Sequence, residues 1–217
     1  MMSIIPAILT NSKQEFKHYL SLARQMTDYI QIDIMDGIFV ESKSLFPREF
    51  FYEDFGGLQV EIHIMANFEN TQDIIASLKS FDVCKRIIVH QEICENLEQL
   101  RQLVNQIKGI NKEVSIAINP DTDIRDIGKV VKKIEGVQFM GVNPGFYGSP
   151  IHTAVYDKVV EFKQRYTMYE GDISWDGGAN QNTIPHIIAS GVERIAVGSA
   201  IFTSHDPIMM YNTLIKI

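Results

Sequence analysis

Eight short runs rich in isoleucine and valine recur along this chain of 217 residues, each followed by a longer amphipathic stretch. Most of these runs are apolar over much of their length, which is typical of strands that are covered on both faces, as in a parallel sheet. The predicted strands cover residues 3–9, 29–35, 58–65, 86–90, 114–118, 136–142, 171–176 and 194–197.

Amphipathic helices are predicted between the strands. The first follows Asn11 or Ser12, either of which is a suitable N-cap, and continues to about Met26. The others cover residues 68–80, 95–108, 122–134, 154–166, 181–189 and 207–215. Repeated strand–helix units with right-handed crossovers predict a single (β/α)₈ TIM barrel, an α/β domain over residues 1–217. A doubly wound open sheet is the alternative, but it normally has fewer strands and one main crevice.

Charge narrows the classes of partner. The formal charge is −7, and no basic stripe is present, which argues against binding to nucleic acid or to an anionic membrane. A small anionic substrate is compatible with the net negative charge, because glycine N–H groups bind phosphate without net positive charge. No apolar run approaches the ~18 residues of a membrane span, and the first residues lack a signal-peptide pattern. We therefore expect a cytoplasmic protein in which Cys84 and Cys94 are free thiols.

Two aspartates mark the ends of predicted strands. Asp33 lies in the run Gln-Ile-Asp-Ile-Met-Asp-Gly at residues 31–37, and Asp176 precedes Gly177 and Gly178. The carboxyl ends of barrel strands carry the chemistry of this fold. Two carboxylates on opposite sides of one substrate could move a proton from face to face.

Strand alternation predicts which side chains point into the barrel. Gln31, Asp33 and Met35 share one face of the second strand, and His63 and Met65 share one face of the third. A buried carboxylate is costly unless it is paired, hydrogen-bonded or bound to a metal. A hydrogen-bonded core residue is the alternative interpretation of both Asp33 and His63, but their common inward face favours a site.

Glycine-containing turns follow strands six, seven and eight. Gly177 and Gly178 follow the seventh strand, and Gly198 and Ser199 follow the eighth, where barrel enzymes commonly bind phosphate. The loop at residues 143–150 is long for its position, and we interpret it as a lid, with an ordinary surface loop as the alternative. His90 and Asn119 face the same mouth and are expected only to support the site.

Taken in order, these motifs resemble the ribulose-phosphate 3-epimerases, with the related allulose-phosphate 3-epimerases sharing most of them. The matching segments are residues 6–9 (Pro-Ala-Ile-Leu), 33–37 (Asp-Ile-Met-Asp-Gly), 63–65 (His-Ile-Met), 119–120 (Asn-Pro), 142–146 (Val-Asn-Pro-Gly-Phe), 176–178 (Asp-Gly-Gly) and 198–202 (Gly-Ser-Ala-Ile-Phe). The ordered set spans essentially the whole chain, which makes the resemblance specific.

The resemblance implies a (β/α)₈ barrel that inverts C3 of a ketose phosphate by two-base proton transfer through a metal-stabilised enediolate. Asp33 and Asp176 would be the acid/base pair, and one divalent ion (Zn, Mn, Mg or Fe) would be held by Asp33, His63, Asp176 and, more weakly, Gln31. The substrate contacts would be Met35, Met65, Met140 and Ala7. The phosphate contacts would be Gly145, Phe146, Tyr147, Gly148, Gly177, Gly178, Gly198 and Ser199. Family members are usually homo-oligomers.

The chain departs from the family pattern around the substrate. Gln31 replaces a histidine ligand, and an amide oxygen suits Mg²⁺, Mn²⁺ or Ca²⁺ better than Zn²⁺. Ala7 replaces a serine that contacts substrate, and both the segment 38–47 and the lid differ from the family's usual residues. Three functions follow: an epimerase of a phosphorylated ketose, a catalytically impaired sugar-phosphate-binding protein, or another enediolate reaction. The third lacks the lysine of related barrels, since Met35 stands in its place.

Overall fold

The computed structural model describes residues 2–145 and 151–217, in which eight parallel strands pair in chain order and close into a barrel. The strands are β1 (Ser3–Ile8), β2 (Tyr29–Met35), β3 (Gln59–Met65), β4 (Cys84–His90), β5 (Glu113–Ile118), β6 (Gly136–Met140), β7 (Asp172–Asp176) and β8 (Arg194–Val197). The predicted (β/α)₈ barrel is confirmed.

Helices connect the strands around the outside of the barrel. They are α1 (Lys13–Ala23), α2 (Pro47–Phe50), α3 (Phe68–Ser77), α4 (Leu97–Gly109), α5 (Ala154–Arg165), α6 (Ile184–Ser190), α7 (Ser199–Phe202) and α8 (Pro207–Leu214). Of the two N-cap candidates for α1, Ser12 serves, because its side chain accepts a hydrogen bond from the backbone N–H of Glu15. Within the described residues, no helix is long and apolar enough to cross a membrane.

The prediction of a helix over residues 122–134 is wrong. Two short 3₁₀ segments occupy this connection, Asp126–Lys129 and Val131–Lys133. The Asp123 carboxylate accepts the backbone N–H of Arg125 at 2.8 Å, a local turn that competes with helix initiation. A Cβ atom at Gly128 would lie 2.6 Å from the Tyr166 hydroxyl, so the chain passes too close to this side chain for most other residues.

The main hydrophobic core lies between the barrel and its helices, and the alternation along β2 shows how it forms. Ile32 and Ile34 point outward into this core, as predicted, and Trp175 does the same from β7. Next to the site, the buried apolar residues form two small clusters, one with Met35 and Met65 and the other with Met140. Polar side chains therefore fill much of the interior, and they must be paired there.

Charged residues close the amino-terminal end of the barrel. Glu61 is 1% exposed and binds the Arg194 guanidinium, which lies 4.9 Å from the centre of the Tyr29 ring. Arg86 is also buried, and its Nη2 lies 2.7 Å from Glu113 and 2.8 Å from Asp172. Burial raises the pKa of Glu61, and the charges of Arg194 and Arg86 oppose the rise.

Replacing Glu61 with glutamine should destabilise the fold by about 3–5 kcal/mol, because Arg194 loses its buried anionic partner. Urea unfolding at pH 8 measures the loss. Glu113→Gln is the matched control. Because the Glu113 side chain is half-exposed, this substitution should lower the free energy of unfolding by less than about 1 kcal/mol. Equal losses in the two variants would contradict a special role for the buried carboxylate.

Candidate active site

A cavity of about 590 Å³, including space open to solvent, lies at the carboxyl ends of the strands. Residues predicted from sequence for catalysis, substrate contact and phosphate binding line it: Ala7, Asp33, Met35, Met65, Met140, Gly145, Asp176, Gly177, Gly178, Gly198 and Ser199. Three further predicted residues, Phe146, Tyr147 and Gly148, lie outside the described residues. The cavity thus unites segments from both ends of the chain.

Strand register brings three of the predicted ligands together. Asp33 on β2 pairs with His63 on β3, while Asp176 reaches the same point from β7. His63 Nδ1 lies 3.3 Å from Asp33 Oδ1 and 3.2 Å from Asp176 Oδ2. Burial alone would lower the pKa of His63, but its hydrogen bonds to Asp176 and Asp33 and their charges raise it to about 9. The imidazole therefore holds a proton between the two carboxylates.

Two buried glutamines complete the cluster. Gln31 Nε2 donates to Asp33 Oδ1 at 2.8 Å and to Asp176 Oδ2 at 2.7 Å. Gln138 Nε2 donates to Asp176 Oδ2 at 3.1 Å. Gln138 was not predicted from sequence, although its position two residues before Met140 on β6 places both side chains on one strand face.

The spacing of these groups fits a small divalent ion. The ligand atoms of Asp33, His63 and Asp176 all lie within 4.8 Å of one another. A four-coordinate ion with bonds of about 2.0–2.2 Å separates its ligands by roughly 3.3–3.6 Å, close to the 3.2 and 3.3 Å found around His63 Nδ1. Gln31 offers its amide nitrogen to this cluster, whereas the predicted role as a weak ligand requires the amide oxygen.

A second histidine lies behind His63. His63 Nε2 is 2.9 Å from His90 Nε2, and His90 Nδ1 is 3.1 Å from Glu92 Oε2. An ionised carboxylate only accepts hydrogen bonds, so His90 donates from Nδ1 and accepts from His63 at Nε2. His63 Nδ1 is thereby left facing the two aspartates, free to carry a proton or to bind an ion. His90 thus supports the site as expected, whereas Glu92 was missed.

Asp36 organises the loop that follows β2. Its Oδ1 accepts the backbone N–H groups of Ile38 at 2.8 Å and Phe39 at 3.0 Å. Its Oδ2 accepts the backbone N–H of Asn67 at 2.8 Å and the Asn70 amide at 2.9 Å, at the start of α3. Burial would raise the pKa of Asp36, but these hydrogen bonds lower it below its usual value. The carboxylate therefore joins two loops at the rim of the cavity.

The turns at the other side of the cavity require glycine. Gly177 and Gly178 have φ angles of +99° and +70°, which other residues rarely adopt. A Cβ atom at Gly177 would lie 2.5 Å from Val142 Cγ2. The backbone just after Asp176 therefore packs closely against the segment that follows β6, which fixes where this aspartate enters the cavity.

The fold and site define a class of protein: a (β/α)₈ barrel with a buried Asp–His–Asp cluster at one side of its cavity and glycine turns at the other. The sequence matches the ribulose-phosphate 3-epimerase family over residues 2–202, and the chain belongs to that family. The resemblance inferred from its motifs is confirmed. Members of this family are isomerases of the sugar-phosphate epimerase type.

Named relatives agree with this assignment. The chain is 29% identical to ribulose-phosphate 3-epimerase from Bacillus subtilis (strain 168), covering 95% of this chain and 94% of that protein. Identity to the Helicobacter pylori (strain ATCC 700392 / 26695) enzyme of the same name is 26%, with 94% and 93% covered. A mutant tryptophan synthase α-subunit from Pyrococcus furiosus superposes with a TM-score of 0.71 at 14% identity, covering 99% of this chain and 95% of that one. This last similarity concerns the fold alone.

Replacing Asp36 with asparagine should cost about 1–3 kcal/mol at pH 7, because an amide cannot accept all four hydrogen bonds. Since the folded-state pKa of Asp36 is lowered, its contribution is present above the unfolded pKa of about 3.8 and is lost as the pH falls through the folded value. Urea unfolding at several pH values should show the difference from wild type narrowing below pH ~4. Asp73→Asn is the control, because Asp73 is exposed on α3. Its difference in unfolding free energy from wild type should not narrow as the pH falls.

Proposed function

We propose that the protein is an epimerase that inverts C3 of a phosphorylated ketose, such as ribulose 5-phosphate. The observation that carries the proposal is the entry of Asp33 and Asp176 into one cavity from β2 and β7, which are separated in the closed sheet by β1 and β8. One aspartate would remove the C3 proton to give an enediolate, and the other would return a proton to the opposite face.

Two-base transfer requires one protonated carboxyl group and one carboxylate at the start of each turnover. Burial and the neighbouring Asp176 charge raise the pKa of Asp33, although hydrogen bonds from His63 and Gln31 oppose the rise. Environments that separate the protonation of two nearby carboxyl groups are characteristic of acid/base pairs. The Met35, Met65 and Met140 side chains would exclude water beside them, since all three line the cavity.

A divalent cation held by Asp33, His63 and Asp176 would supply Lewis-acid stabilisation of negative charge on the substrate oxygens. The phosphate would lie at the glycine turns after β7 and β8. Among described residues, the cavity lining contains no lysine or arginine, so backbone N–H groups of Gly178 and Ser199 would bind the phosphate.

Proton exchange tests the proposal. With ribulose 5-phosphate or allulose 6-phosphate in D₂O, and Mg²⁺, Mn²⁺ or Zn²⁺ added, deuterium should enter C3. Asp33→Asn and Asp176→Asn should each lower the exchange rate by at least ~10²-fold, because each removes one proton-transfer group.

The control variant is Asp172→Asn, which changes the same type of side chain four residues earlier on β7. Asp172 binds Arg86 at the far end of the barrel and is not among the described residues that line the cavity, so this substitution should leave exchange within about threefold of wild type. Absence of deuterium incorporation with every tested metal and both substrates would exclude epimerisation of those sugars.

A second candidate function is binding of a sugar phosphate without turnover. Two observations favour it: Ala7 presents no hydroxyl to the cavity, and Gln31 directs N–H donors at the predicted acid/base pair. Ribulose 5-phosphate would then raise the melting temperature without C3 exchange. If it does neither, both functions are excluded for that ligand.

A further inference from the structure

Gln31 has unusual hydrogen bonding for a fully buried amide. Its nitrogen serves both aspartates, at 2.8 and 2.7 Å, while its oxygen Oε1 is buried with no hydrogen-bond partner among the described residues. The side chain is 0% exposed, so the oxygen has no contact with bulk solvent. The unpaired buried oxygen costs free energy, which the two hydrogen bonds from the nitrogen of the same amide to the carboxylates offset.

The amide has an N–H₂ end and an oxygen end of nearly equal size. With only protons in the cluster, the N–H₂ end is required, because Asp33 Oδ1 and Asp176 Oδ2 are both acceptors. A cation bound to those same oxygens reverses the requirement, since it repels N–H groups and attracts a carbonyl oxygen. Rotation of the terminal amide by a half turn exchanges the two ends without a change in side-chain volume.

We propose that Gln31 is a metal-linked amide switch: its nitrogen bridges Asp33 and Asp176 in the metal-free protein, and its oxygen joins the ligand set when a divalent ion binds. The inference depends on the cation site and on no particular substrate. Metal-binding experiments can therefore confirm or refute the switch independently of the epimerase reaction, which the deuterium-exchange assay measures.

The switch has two consequences for ion binding. The ion must displace the two charge-assisted hydrogen bonds from Gln31 to the aspartates. A histidine at this position has no amide group and would not form this pair of hydrogen bonds. The ligand that the ion gains is a neutral hard oxygen, which favours Mg²⁺ or Mn²⁺ over Zn²⁺ relative to an imidazole. Gln31→His should therefore raise the Zn²⁺ affinity by more than about tenfold and leave Mg²⁺ affinity unimproved, as measured by calorimetry.

Side-chain NMR of the metal-free wild-type protein tests the switch directly. During titration with diamagnetic Mg²⁺ or Zn²⁺, followed in parallel by calorimetry, the Gln31 amide protons should move upfield as they leave two charged acceptors, and its carbonyl carbon should shift as the oxygen gains the ion. Gln138 is an internal control: it donates to Asp176, and its own carbonyl carbon should change little. The Gln31 signals are assigned by their loss in Gln31→His.

A second variant keeps the test decisive if assignment fails. Gln31→Glu retains an oxygen ligand and removes the bridging donor, so at pH 8 its metal-free form should melt lower than wild type, and saturating Mg²⁺ should raise its melting temperature by more than it raises that of wild type. The proposal is overturned if calorimetry detects no ion binding, if Gln31 signals are unchanged at saturation, or if Mg²⁺ stabilises both proteins equally.

Discussion

Closure of the barrel imposes one constraint on which the rest of the structure depends: polar side chains that point inward can be satisfied only by one another or by a bound group. At the amino-terminal end, Glu61 meets this requirement with Arg194, supported by Arg86. Two residues further along β2 and β3, the requirement is met by the cluster around His63. Ion pairs and hydrogen bonds satisfy most polar atoms in both sets, and the Gln31 oxygen and the Arg194 Nε are left without a hydrogen-bond partner among the described residues.

The cluster around His63 is oriented by Glu92, a carboxylate that lies outside the cluster. Hydrogen bonds from His90, Thr122 and the backbone of Asn119 outweigh burial and lower the pKa of Glu92. Burial lowers the pKa of His90, which keeps that imidazole neutral between Glu92 and His63. The Glu92 carboxylate thus makes His90 a donor at Nδ1 and an acceptor at Nε2, so that His63 donates to it from Nε2 and presents Nδ1 to the aspartates. The orientation of the site depends on a loop after β4 as much as on the strands that carry the aspartates.

Periodicity was enough to predict the barrel and the inward-facing residues. Every predicted strand is present with ends displaced by at most two residues, because buried parallel strands leave a strong apolar signal. The helix prediction for the segment after β5 was wrong because the turn at Asp123 and the close approach of Gly128 to Tyr166 override the helical pattern. Gln138 and Glu92 were missed because hydrogen-bond partners on other strands are not encoded in local pattern. The direction of the Gln31 amide is a property of the assembled cluster alone.

Charge balance explains why a glutamine is tolerated in this position. When both aspartates are ionised and His63 is protonated, as its pKa of about 9 implies at neutral pH, the cluster carries two negative charges and one positive charge. The Gln31 amide adds donors without adding charge, and burial together with the Asp176 charge keeps the pKa of Asp33 raised although the hydrogen bond from Gln31 opposes the rise. A divalent ion would take the place of the His63 proton at Nδ1, because one nitrogen lone pair cannot hold both. Two aspartates, a neutral imidazole and the ion would then sum to zero, and the amide would need only to offer its oxygen. The glutamine is therefore compatible with both charge states, whereas a histidine at position 31 could take up a second ring proton and change the charge of the cluster.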